Sequence, residues 1–130
     1  MFRKTLQVAA GLALAALIAP AGAQDFPSKP ISIVVPFAAG GPTDTVARLI
    51  AQAMSTNLKQ TVVVENYGGA GGTIGADRVA KAKNDGYTIL LHHIGQSTAP
   101  TLYRKLPYDA VKDFAPIGLV TDVPMTIVAR

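Results

Sequence analysis

The spacing of apolar and polar positions changes several times along the chain, and each change marks an element. "ISIVV" at residues 31–35 is a β-branched run closed by Pro36, which predicts a strand. From Pro42 the period lengthens. Val46, Leu49, Ile50, Ala53 and Met54 recur at helical spacing with Arg48 and Gln52 turned to water, so a helix is expected over 42–57. "TVVVE" at 61–65 predicts a second strand, and its unbroken apolar run predicts burial on both faces. A second helix is expected over 73–83, with Ile74, Val79 and Ala80 as its apolar face and "NDG" at 84–86 ending it. "YTILLH" at 87–92 reads as a third strand, followed by a loop with a short helix near 101–105. "PIGLV" at 116–120 and "MTIVA" at 125–129 are two further strand candidates.

Strand, helix, strand, helix, strand implies an α/β fold, an open and mostly parallel sheet with right-handed crossovers and helices on both faces. A chain of 130 residues is long enough for one domain and its core. No solenoid repeat or low-complexity linker divides it. Because no helix follows the strand at 125–129, the chain is expected to be a truncated product or fragment of a longer protein.

Ahead of the first strand, residues 1–23 have the three parts of a secretory signal: the positive start "MFRK", the apolar run "LQVAAGLALAALIA", and "AGA" ending at Ala23. The alternative, a membrane anchor, needs about 20 apolar residues; this run has 14 and is followed by the helix breaker Pro20. Export and cleavage before Gln24 are expected, and with no cysteine and much alanine the destination that fits is a bacterial periplasm. The net charge of +4 then loses Arg3 and Lys4, leaving ten basic against eight acidic residues spread along the chain. That excess is too small and too dispersed for nucleic acid.

Both strand-to-helix connections are built of small residues: "PFAAGG" before Pro42 and "NYGGAGG" before Thr73. In an open α/β sheet such loops lie at the C-terminal edge of the strands, where ligands bind. There the helix N-termini leave N–H groups unpaired and carry about half a positive charge. Ala38, Ala39, Gly40 and Gly41 would let a carboxylate reach that backbone. The same glycines also serve a tight turn, with Gly41 as cap, Pro42 in the first helical position and Asp44 placed by the helix dipole. The residues alone leave both readings open. A nucleotide is disfavoured, since the stretch from Gly69 to Ile74 fails the dinucleotide fingerprint at its last position and no phosphate-loop motif occurs. His92 and His93 point to opposite faces if the strand continues through them, so they do not easily share a metal. A hydrolase would need one of them beside Ser97 or Thr98, and neither hydroxyl lies in a nucleophile elbow. Hydrogen bonding to a ligand is the better use of this segment. "LYRKLPYD" at 102–109 reads as a solvated basic turn that packs its tyrosines.

Three segments together resemble the Bug family of periplasmic solute-binding receptors, which serve tripartite tricarboxylate transporters: "KPISIVVPFAAGGPTDTVAR", "VVVENYGGAGGTIGADRVAKAKNDGYTILL" and "LYRKLPYDAVKDFAPIGLV". The likeness runs over residues 27–130. It implies a type 2 periplasmic-binding-protein fold of two lobes closing over a small carboxylate, of which residues 24–130 supply the first lobe and the start of the second. It implies membrane transporter subunits as partners, and neither catalysis, cofactor nor metal. Carried over residue by residue, Phe37, Ala38, Ala39, Gly40, Gly41 and Asp44 form one side of a carboxylate pincer, and Gly95, Ser97 and Thr98 face the cleft. Gly71, Gly72 and Thr73 lie beside the site. Many members read "ENRPGAGG" where this chain has Tyr67 and Gly68 in place of the Arg-Pro pair. Two other readings remain from the residues: an exported α/β hydrolase using His93 and a nearby hydroxyl, and a truncated remnant that binds nothing.

Overall fold

The structure, a computed structural model, describes residues 25–122. The signal-like segment 1–23 and the strand expected at 125–129 lie outside the described residues. Strand β1 (Ile31–Val35) is followed by helix α1 (Pro42–Leu58), β2 (Val62–Asn66), a short 3₁₀ turn (Ala70–Gly72), α2 (Thr73–Ala80), β3 (Thr88–Leu90) and α3 (Gly95–Leu102). The three strands form one parallel sheet in the order β2-β1-β3. Ile33 pairs with Val64 on one side and with Ile89 on the other.

Helices cover both faces of this sheet. Ile33 and Val35 pack on Ala47 and Ala51 of α1, with Ile50, Met54, Val62, Val64, Ile89 and Leu91 around them. The alternate residues Ser32 and Val34 face the other way. With Glu65 and Thr88 they line a hollow of about 340 Å³ that Arg78 and Ala82, from α2 and the turn after it, close from the far side. β1, central and parallel to both neighbours, is the buried spine, and its β-branched run suits that place.

Several expectations are corrected. The buried stripe of α1 is Asp44, Ala47 and Ala51, while Leu49 is 64% exposed. Small alanines let the helix sit close to β1, which turns the larger Leu49 outward. β2 is an edge strand among the described residues, covered by α1 on one face only, so Val63 remains exposed. α2 stops at Ala80, and its buried residues are Thr73, Gly75 and Ala76, with Ile74 exposed. A Cβ on Gly75 would come within 2.7 Å of the Pro36 Cβ and 2.9 Å of the Tyr67 carbonyl oxygen, so the contact face of α2 has to be glycine and alanine. β3 ends at Leu90, which leaves both histidines beyond the strand. The helix expected near 101–105 runs instead over Gly95–Leu102. Residues 116–120 form no strand: they pair with no other described strand, and Ile117 and Leu119 face solvent.

Gly75→Val tests this close approach. Its branched side chain would meet backbone rather than a flexible neighbour, and overpacking of this kind costs roughly 2–3 kcal/mol. Urea denaturation of the full-length chain should show the loss; an unchanged midpoint would mean that α2 can stand off from Pro36.

Candidate functional site

Because the three strands are parallel, the loops after them (36–41, 67–72 and 91–95) gather at one edge of the sheet. Phe37 joins them. Its ring stacks on His93 at 4.3 Å and meets His92 edge-on at 5.3 Å. Gly72 lies against the same pair. With φ of +96° it holds a backbone conformation L side chains rarely adopt, and a Cβ there would stand 2.7 Å from the His92 Nε2 and 3.2 Å from the Phe37 Cζ. Gly68 passes over the Phe37–Ala38 peptide, where a Cβ would be 3.6 Å from the Ala38 nitrogen. The small residues of the second loop thus make room for the first.

Asp44 shapes loop 36–41 from beneath. Its side chain is buried and accepts three hydrogen bonds: Oδ2 from the Gly40 N–H at 2.8 Å and from Arg48 Nε at 2.9 Å, Oδ1 from Asn66 Nδ2 at 3.0 Å. Asn66 Nδ2 also donates to the Phe37 carbonyl at 3.1 Å. The bond from Arg48, then those from Gly40 and Asn66, hold the Asp44 pKa down from 3.8 to about 2 against the opposing effect of burial. Asp44 therefore supports the loop from inside, and the Gly40 N–H already has an acceptor. The Gly41 N–H reaches the Ala38 carbonyl at 3.4 Å. By contrast, the N–H groups of Ala38 and Ala39 make no hydrogen bond to another described residue, and both alanines are exposed. Gly41, the N-cap of α1, has no side chain to cover the first turn behind them.

In the third loop, the His92 Nδ1 accepts from the His93 N–H at 2.8 Å and the His93 Nδ1 from the Gly95 N–H at 3.0 Å. Each neutral imidazole thus carries its proton on Nε2. Their rings lie 5.2 Å apart and edge-on, which replaces the opposite-face placement expected of a continuing strand. Burial, then His93, pushes the His92 pKa down from 6.5 to about 4. Ser97 and Thr98 both donate to the Ile94 carbonyl, at 2.9 and 3.3 Å, and neither is bonded to an imidazole. The nucleophile–base pair that a hydrolase needs is not formed. Among the described residues no group of three acidic, histidine or cysteine side chains is placed to hold a metal ion.

The structure thus gathers Phe37, Ala38, Ala39, Gly40 and Gly41 in one loop, with Asp44 of α1 bonded to it from below and Gly95 beside the histidines that pack on it. Ser97 and Thr98 lie further along, tied to their own helix. Asn66 and Arg48 were missed by sequence reasoning. Asp44 and Arg48 are four apart, a readable helical ion pair, whereas Asn66 reaches across 22 residues and carries no local signal. Where the Bug pattern has Arg-Pro, the Tyr67 hydroxyl donates to Glu65 at 2.7 Å and Arg78 from α2 stands 4.1 Å over the Tyr67 ring.

The profile of the tripartite tricarboxylate transporter family receptor matches residues 46–130. The chain belongs to that receptor family. The UPF0065 protein in the TAR-I ttuE-ttuC' intergenic region of Agrobacterium vitis is 59% identical over 120 residues, which cover 90% of this chain and 35% of that protein. Among solved structures, the periplasmic binding protein BugD is 59% identical with a TM-score of 0.69, covering 72% of this chain and 31% of that one. MatC from Rhodopseudomonas palustris, solved with bound malate, is 50% identical with a TM-score of 0.67, covering 70% of this chain and 31% of that one. The chain spans about a third of the length of the curated relatives it matches. The receptor family's fold is therefore that of periplasmic binding proteins, in line with the parallel sheet described above.

Two groups tie this receptor edge to pH. A depressed histidine pKa makes the unfolded chain the better proton acceptor, so the stability owed to neutral His92 is complete above pH 6.5 and is lost as pH falls towards 4. Asp44 contributes above pH 3.8 and loses its contribution towards pH 2. Thermal melts across this range should show two successive losses, and His92→Gln should flatten the first alone. An unchanged slope between pH 6.5 and 4 in that variant would remove His92 from the account.

Proposed function

We propose that this chain is part of an exported solute-binding receptor that captures a small carboxylate and hands it to the membrane subunits of a tripartite tricarboxylate transporter. Residues 1–23 act as a cleaved signal, and 24–130 form the N-terminal part of a two-lobed periplasmic domain. One observation carries the reading: in a chain that is 50% identical to malate-bound MatC, the exposed residues Ala38 and Ala39 have N–H groups without a partner among the described residues. Phe37, Ala38, Ala39, Gly40 and Gly41 form the ligand loop, Asp44 supports it, and Gly95, Ser97 and Thr98 border it. The Ser97 and Thr98 hydroxyls, which donate to Ile94, keep lone pairs to accept from a ligand hydroxyl or ammonium. The receptor is not an enzyme. The membership of the chain in a family of transporter receptors supports that reading.

Calorimetric titration of the full-length chain with malate and related dicarboxylates should give saturable binding without turnover. Hydrolysis of an ester substrate would favour the hydrolase instead. Gly41→Val isolates the loop. Gly41 has an ordinary φ of −77°, so valine is allowed there, and the nearest obstacle to its Cβ is the Ala38 carbonyl oxygen at 3.3 Å. Blocking a charge-assisted contact worth about 1.5–3 kcal/mol should weaken binding roughly 10- to 100-fold. Unchanged affinity in the folded fraction would leave these glycines as turn formers. Export is checked separately: mass spectrometry of the periplasmic fraction should find a chain that begins at Gln24, and an intact Met1 in the membrane fraction would overturn that part.

A further inference from the structure

We infer that Asn66 is the positioning residue of the ligand loop, holding both of its ends so that the Ala38 and Ala39 N–H groups between them are left without a partner among the described residues. The ligand role of that loop rests on the preceding reading; its shape does not. Asn66 is the last residue of β2, a fixed point of the sheet. One amide nitrogen there donates to the Phe37 carbonyl at 3.1 Å, where the loop begins, and to the Asp44 Oδ1 at 3.0 Å. The Asp44 Oδ2 in turn accepts from the Gly40 N–H at 2.8 Å, where the loop ends. The N–H groups of the two alanines between these anchors are left without partners among the described residues.

Position 66 requires a donor. Both atoms that its nitrogen faces are acceptors, so a carboxylate in its place would oppose the Phe37 carbonyl and the Asp44 charge at once. The Asn66 oxygen faces the Arg48 Nη2 at 3.5 Å, which fixes the orientation of the amide. Arg48 is the cation beside this pair, and it is held by Asp44.

The test needs no variant at first. In the full-length wild-type chain, amide exchange followed by NMR should find Gly40 protected and Ala38 and Ala39 fast; fast exchange at Gly40 would overturn the inference. Asn66→Asp and Asn66→Ala then separate positioning from general stability. Loop 36–41 should exchange at least ~10-fold faster in both, matching the loss of a hydrogen bond worth about 1.5 kcal/mol, with the amides of α1 unchanged. In Asn66→Asp, protection relative to wild type at the same pH should partly return as the pH falls to about 5, because the introduced carboxyl group, once protonated, can donate to Asp44. Asn66→Ala should show no such return. Equal acceleration in the loop and α1, or none in either variant, would overturn the inference. Malate titration of the same proteins reads the other proposal: binding by wild type weakened about tenfold in the variants supports both. No binding by wild type, with loop exchange as expected, overturns the carboxylate reading and supports the positioning role.

Discussion

A single buried carboxylate, Asp44, joins the parts on which this sheet edge depends. It lies in the first turn of α1, beneath loop 36–41 and beside the end of β2, and it bonds to all three. Burying a charge is unfavourable unless it is paired and hydrogen-bonded. Here one oxygen receives the Gly40 N–H and Arg48, the other Asn66, and the positive end of the α1 dipole favours the same charge. Loss of one partner would leave a desolvated charge only partly compensated, which makes the arrangement all-or-none. Loop 36–41 is therefore anchored at both ends by side chains below it, Asn66 at Phe37 and Asp44 at Gly40.

Glycine and alanine contribute geometry at the same edge. α2 meets Pro36 and Tyr67 at distances that exclude a Cβ on Gly75, and Gly72 tucks beneath His92 and Phe37 in a left-handed conformation. In the same turn Ala70 also has a positive φ, of 45°, an uncommon state for a residue with a side chain. Strain at such a position persists only when the surroundings determine it, and the turn is closely walled: a Cβ on Gly71 would stand 2.6 Å from the Tyr103 hydroxyl and one on Gly72 2.7 Å from the His92 Nε2. The aromatic cluster is the counterpart: Phe37, His92 and His93 fill the space that the glycines leave.

Much of this was legible in the sequence, in a graded way. β1 was readable to the residue because a central strand favours β-branched residues, four of the five in Ile31–Val35, and Pro36 closes it. α1 was readable from its Pro42 start and its period, yet its buried stripe was misjudged: hydrophobicity favours Leu49, while close packing on β1 favours Ala47 and Ala51. The same preference for size over hydrophobicity hid the role of Gly75. At 116–120 the apolar pattern was real, but a strand needs a partner, and partners are set by topology. In the candidate site, the loop backbone showed in the small residues Ala38 to Gly41. Asn66 did not, since its function lies in reaching two atoms brought near by the fold.

The charge arrangement also bears on how such an edge would hold an anion. Asp44 and Arg48 form a pair, so neither offers a free charge to the loop above. A carboxylate here would meet the Ala38 and Ala39 N–H groups, which have no partner among the described residues. Fixed dipoles stabilise a carboxylate without the reorganisation that a mobile lysine or arginine would require, and they do so for any carboxylate that fits. Recognition by backbone makes the first contact general. Under the proposed reading, discrimination among acids would come from groups that touch the rest of the ligand, such as the side chains of His93, Ser97 and Thr98, whose chemistry substitution can change.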